Sequence, residues 1–380
     1  MFKKVLFIPI FLGISCMAMA QTLHLRAISA GSGYYYMNKQ GTNTNAPFVA
    51  AIQKNAIILK STAVQLNNYK SFGISPDKAM MGVLHQDSGN YATTLFEEPG
   101  KKLIQNKGLS FGSNDPSLKV YPLNNGRIIV RSNIAHFDIY NPEGALKASF
   151  SNGSGSLQGE SISRLVTDYS GETIIVYNPK INKKGHKESR IQRVDPVSGH
   201  TTMIYYNSSE SIKDIQVSHD GQFLAVLFEN HKKSHVVIMD LFGNKVHSFH
   251  FDNALTHIAF SNNDRYITMV QGNSVTVYHI LSGKKAGAAY LRGYDVTYAN
   301  YIPADHAILG IGSNYNKGSD KLNKVEFSVV DLKRRKIASR TYSGNLTWYP
   351  ETFPVSIDRL GRDHYRINGF SSLFRIKADF

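Results

Sequence analysis

The chain has 380 residues, a formal charge of +15 and one cysteine, Cys16. A single cysteine excludes a disulfide framework and a thiolate metal cluster. A chain of this length buries a large core without such staples. The positive charge points to anionic surfaces as partners, and it bears on association rather than on fold.

The first element is a targeting segment. Lys3 and Lys4 precede an apolar run over 5–13, and Ala18-Met19-Ala20 gives a small-x-small pattern before Gln21. Residues 1–20 therefore read as a cleaved secretory signal, with lipid attachment at Cys16 as the poorer-fitting alternative. The charge is +13 once Lys3 and Lys4 are removed. No later run is apolar enough to cross a bilayer. Residues 21–69 read as an N-terminal segment, in which 30–46, with Tyr34-Tyr35-Tyr36, is rich in Gly, Asn and Thr and reads as a loop.

From residue 70 to 380 one pattern recurs. A short hydrophobic run meets a polar turn and is followed by a second run, with turns at Asp77, Asn125, Ser170, Asp220, Asn263, Asp305 and Arg359. The spacing of roughly 40 to 55 residues is that of propeller blades. Runs over 215–218, 223–228, 236–241 and 246–251 alternate with period two and are rich in β-branched and aromatic residues, which predicts four strands per block. A second turn recurs in each block at 98–100, 141–144, 195–199, 241–244 and 281–283. Asp and Asn bond their own backbone there and Gly accepts positive φ.

The predicted fold is thus all-β, a seven-bladed propeller of four-stranded antiparallel blades. The blades fall near 70–106, 117–151, 162–206, 212–251, 255–291, 295–343 and 351–380. The last block has only three strands, so an N-terminal strand, 23–29 or 56–63, is expected to close the ring and remove its open edge.

Ile74-Ser75-Pro76-Asp77 in blade 1 and Val217-Ser218, Asp220-Gly221 and Leu224-Ala225 in blade 4, followed by Ile238-Met239-Asp240-Leu241, resemble the repeats of TolB-type and other WD40-like bacterial propellers. The resemblance implies the fold and, loosely, a protein-binding habit. Trp348 is the only tryptophan, so the Trp-Asp signature of eukaryotic WD40 repeats is absent.

Chemistry-bearing motifs are sparse. There is no Gly-x-Ser-x-Gly elbow, no Walker-type loop and no His-Glu-x-x-His pair, despite fourteen histidines. No metal and no cofactor are expected, and the reading leans away from an enzyme.

The basic loops carry more. In a four-stranded blade the loop between the second and third strands shares a rim with the link to the next blade. That rim should hold Lys183, Lys184 and Lys187 of blade 3, Lys232 and Lys233 of blade 4, and Lys317 and Lys321 of blade 6. Arg292, Tyr294, Trp348 and Tyr349 should join them from the links. Lysine gives long-range attraction, while Tyr, Trp and Arg are enriched at interface centres. The opposite rim is basic as well, through Lys101-Lys102, Lys284-Lys285 and Lys333-Arg334-Arg335-Lys336.

The expected function is a non-enzymatic scaffold of the periplasm or cell surface, or one that is secreted. It would bind a protein of the cell envelope, or an anionic polymer or lipid headgroup, with nucleic acid not expected. The alternative is a propeller enzyme, a lactonase, lyase or glycan-processing enzyme, acting at the mouth of the central channel.

Overall fold

The computed structural model describes residues 21–29, 34–37, 48–52, 56–59, 64–87, 90–97, 101–109, 117–153, 162–178, 189–207, 210–230, 232–314, 321–348 and 354–380. These form eight four-stranded antiparallel sheets. Seven are the blades of the propeller, and their first strands or the residues just ahead of them line one channel.

Blade 1 starts at Tyr69–Ile74, blade 2 at Lys119–Pro122 and blade 3 at Arg164–Thr167. Blade 4 starts at Ser211–Val217, blade 5 at His257–Phe260 and blade 6 at Val296–Ile302. Each is followed outward by its second, third and fourth strands in chain order. Blade 7 has Ser356–Gly361, His364–Asn368 and Ser372–Asp379, and its fourth strand is the N-terminal Thr22–Ser29. Of the two closing strands considered, the ring therefore uses the first. It pairs in register from Thr22 with Asp379 to Ser29 with Ser372.

The eighth sheet is a finding that the sequence reading did not contain. Tyr34–Met37, Phe48–Ile52, Ala56–Leu59 and Val64–Asn67 pair in that order. Its first strand neighbours Ser372–Asp379 of blade 7, and its last neighbours Met80–Asp87 of blade 1, so it stands at the seam of the ring. Tyr34-Tyr35-Tyr36, expected in a loop, lie in a strand. Gly and Asn at 31–33 and 38–45 dominate the composition of that window and hide a short β-prone run between them.

The recurrent turn has a physical basis. Ser75 Oγ donates to Asp77 Oδ1 at 2.7 Å and accepts from the Met80 N–H at 2.9 Å. Ser218, Asp220 and Phe223 repeat this at 2.7 and 2.9 Å, and Ser261, Asn263 and Tyr266 at 2.8 and 3.2 Å. The serine thus closes the hairpin, and the Asp or Asn two residues later stiffens it as an Asx turn. The turns are also tied to one another. Asn124 accepts from the Asp77 N–H and donates to the Tyr169 and Ser170 carbonyls, joining blades 1, 2 and 3. Asp264 of blade 5 accepts from the His219 and Asp220 N–H groups of blade 4.

Between the blades lie apolar layers. Ile175, Tyr177 and Ile191 of blade 3 pack with Ile215, Leu224 and Phe228 of blade 4. Leu309, Phe327 and Val329 of blade 6 pack with Tyr365, Phe374 and Leu23 of the closed blade 7. These layers hold the ring rigid and fix the loops at its two ends. The ends are called here the hairpin face, carrying the first–second and third–fourth turns, and the linker face, carrying the second–third loops and the blade-to-blade links.

Candidate functional site: the channel and its linker-face mouth

The described first strands enclose an open channel of about 1420 Å³. Each begins at the linker face, so the residues that open those strands surround that mouth. Lys119 and Arg164 stand there on blades 2 and 3, with Lys213, Asp214 and Glu229 on blade 4 and His257 on blade 5. Lys213 Nζ donates to Glu229 Oε1 at 3.0 Å and to the Leu255 carbonyl at 2.8 Å, which spans two blades. Beside them, His235 Nδ1 lies 3.1 Å from Glu210 Oε1 and stacks on His250 at 4.6 Å.

Burial raises the Asp214 carboxyl above its ordinary value. Hydrogen bonds from Gln216 and the Ile215 N–H oppose the rise, as do the charges of Arg164 and Lys213. Burial also pushes Tyr177 up, and pushes His257 down to about 4. The His257 ring lies 4.7 Å from Tyr298, itself pushed up by burial to about 12. In blade 7 the buried Arg366 donates to the buried Asp358 at 2.9 and 2.7 Å, and Asn368, which lines the channel, adds a contact at 3.3 Å. Lys78 enters from the hairpin face. Burial lowers its pKa to about 8, Asp358 opposes that shift, and Arg366 adds to it. Among the described residues, no group of three or more His, Cys, Asp or Glu side chains is placed to hold a metal ion.

No protein-family model matches this chain, and no curated protein matches it. No helix among the described residues is long and apolar enough to cross a membrane.

The structure places the sequence-predicted site residues unevenly. Lys232 and Lys233 are exposed at the second–third hairpin of blade 4, with Lys233 Nζ 3.6 Å from Asp252. Lys321 is exposed at the start of the third strand of blade 6. Arg292 is exposed in the link from blade 5 to blade 6, and Tyr294 beside it is partly buried. Gly293 holds that link at φ 101°, and a Cβ there would overlap the Glu326 carboxylate, which accepts from the Tyr294 N–H at 3.3 Å. These residues share the linker face, as expected from blade topology.

Trp348 does not join them as an exposed anchor. It is 7% exposed and packs on Phe370 at 5.5 Å, inside the layer between blades 6 and 7. Its large apolar surface is held better by that layer than by water. Lys183, Lys184, Lys187, Lys317 and Tyr349 lie outside the described residues.

Sequence reasoning missed Arg164, Lys213, Asp214 and His257. Arg164 and His257 open short inner strands and Lys213 and Asp214 lie within the first four residues of another, where a period-two count cannot tell a channel-facing side chain from a solvent-facing one. One signal was available: polar residues open the innermost strand in several consecutive blades.

His257 gives a pH prediction. Its folded value, about 4, lies below the ordinary 6.5, so the neutral ring contributes stability that is present above pH 6.5 and lost as pH falls toward 4. The linkage amounts to about 3 kcal/mol across that window. Urea unfolding at pH 7 and pH 4 is expected to show His257→Phe losing about 3 kcal/mol less than the parent. Equal losses in the two proteins would show that His257 does not carry this acid sensitivity.

Proposed function

We propose that the protein is an exported, non-enzymatic scaffold that binds a protein of the cell envelope, one with an acidic surface, through its linker face. The observation that carries this is the arrangement of cations on a rigid ring. Exposed Lys232, Lys233, Arg292 and Lys321 share one rim with the mouth that Lys119, Arg164 and Lys213 surround. Such a field speeds encounter with an acidic partner and orients it. Loops on a rigid scaffold are where recognition usually sits. The resemblance of the Ser-x-Asp turns to TolB-type repeats supports the same protein-binding habit. The segment 1–20 supports export, to the periplasm, the cell surface or beyond the cell.

A second reading keeps one observation of its own: Asp214, partly buried in the channel wall near Arg164 and Tyr177, has its carboxyl raised by desolvation, the direction in which a proton-donating carboxyl is tuned. In that reading the channel mouth holds a small anionic or glycan substrate.

The two readings separate on charge reversal. Changing Lys183, Lys184, Lys232 and Lys233 to Glu is expected to weaken capture of the envelope partner about tenfold and to flatten its salt dependence. Affinity and salt slope unchanged from the parent would remove these loops from the binding account and leave the channel.

A further inference from the structure

The hairpin face carries a feature that binding at the linker face does not use. In three consecutive blades the third–fourth turn presents a large apolar side chain at the same position, two residues after the residue that opens the turn. These are Val197, Phe242 and Leu281, exposed to 67%, 81% and 61%. The residues opening the turns are Asp195, Asp240 and His279, whose carbonyls accept from the N–H groups of Gly199, Gly243 and Gly283. In blade 2, Leu146 just beyond the equivalent turn is 57% exposed.

The tips are not mobile decoration. Each turn glycine has positive φ, and each packs on the outer strand of the preceding blade: Gly199 on Ala148 and Ser149, Gly243 on Ile204, Gly283 on His247. His247 Nε2 also meets the Leu281 carbonyl at 2.7 Å. The tips therefore form a fixed row along one rim.

Lys245, Lys284, Lys285, Lys333 and Arg335 are exposed along the same rim. The acids of these turns are engaged locally. Asp195 accepts from the Val197 and Ser198 N–H groups, and Asp240 from those of Phe242 and Asn244.

We infer that this rim docks on an anionic lipid surface, with Phe242, Leu281 and Val197 entering the headgroup–acyl boundary and the flanking lysines meeting the lipid charge. A protein partner would need pockets spaced to match tips set one blade apart, whereas a fluid interface takes projecting side chains at any spacing. Apolar tips with exposed cations along the same rim are the composition that such interfaces select. The site lies on the face opposite the proposed partner-binding loops, so either can fail without the other.

Sedimentation with vesicles tests the inference, using the protein purified from the cell envelope. It is expected to bind vesicles of phosphatidylcholine with 30% phosphatidylglycerol and to leave vesicles of phosphatidylcholine alone in solution. Phe242→Asp with Leu281→Asp is expected to weaken that binding about tenfold or more. Both side chains are exposed, so the variant should keep the parent's circular dichroism and melting curve. Lys232→Glu with Lys233→Glu, on the opposite face, is expected to bind as the parent does. Three results would each overturn the inference: no binding to the anionic vesicles, full binding by the Asp variant, or self-association through these tips in place of vesicle binding.

Discussion

A chain lacking residues 21–29 is expected to lose the cooperative fold. The strand Thr22–Ser29 is the outer strand of blade 7, and Leu23 is buried in the layer that joins blades 6 and 7. Leu25 and Ala27 pack against the same layer. Arg340 donates to the Leu23 carbonyl at 3.4 Å, so the strand also holds blade 6. Without it, Ser372–Asp379 becomes an open edge carrying an apolar face, a template for aggregation. Each buried aliphatic side chain is worth about 1.5–3 kcal/mol, and a domain's whole stability is about 5–15 kcal/mol. Deletion therefore removes a large share of it. Leu23→Asp is a milder form, expected to cost at least about 3 kcal/mol in urea unfolding, with exposed Arg26→Ala as a near-neutral control. A melting curve of the truncated chain matching the parent's would mean that the ring closes in another way.

Replacing Arg366 by Leu is expected to cost about 3–5 kcal/mol, because Asp358 is left as a buried charge to which Asn368 still donates but no guanidinium does. The ion pair itself contributes less than that figure, since both groups leave water to form it. Asp358→Leu with Arg366→Leu should therefore lose much less than Arg366→Leu alone. The gap between the double variant and the sum of the singles measures the coupling. A single variant within about 1 kcal/mol of the parent would contradict the assignment of this pair as a buried, mutually dependent unit.

Most of the architecture was legible in the sequence, for a physical reason. Ser75-x-Asp77 and Ser218-x-Asp220 use the same hydroxyl and carboxylate bonds to close the same hairpin, so the chemistry of the turn recurs wherever the fold does. The missing fourth strand of blade 7 was legible because a ring cannot leave an edge unpaired. What was not legible depends on direction rather than on residue type. Trp348 has the composition of an interface anchor, and only its packing on Phe370 shows that it serves the core. Asp214 and His257 belong to unremarkable runs, and only the closed ring turns them toward one channel. Val197, Phe242 and Leu281 lie 45 and 39 residues apart in sequence, and blade periodicity alone places them on one rim. The sheet at the seam escaped because its strands are short and embedded in turn-forming residues.

The central claim is that the linker face is where this scaffold meets its partner. Site-specific photo-cross-linking in the cells that make the protein tests it most directly, with a photoreactive residue at position 232, 292 or 321 and, for comparison, at position 242. The account predicts a reproducible protein adduct from the three linker-face positions, formed with one partner, and no protein adduct from position 242. A folded, exported protein that yields no adduct from positions 232, 292 and 321 would contradict it.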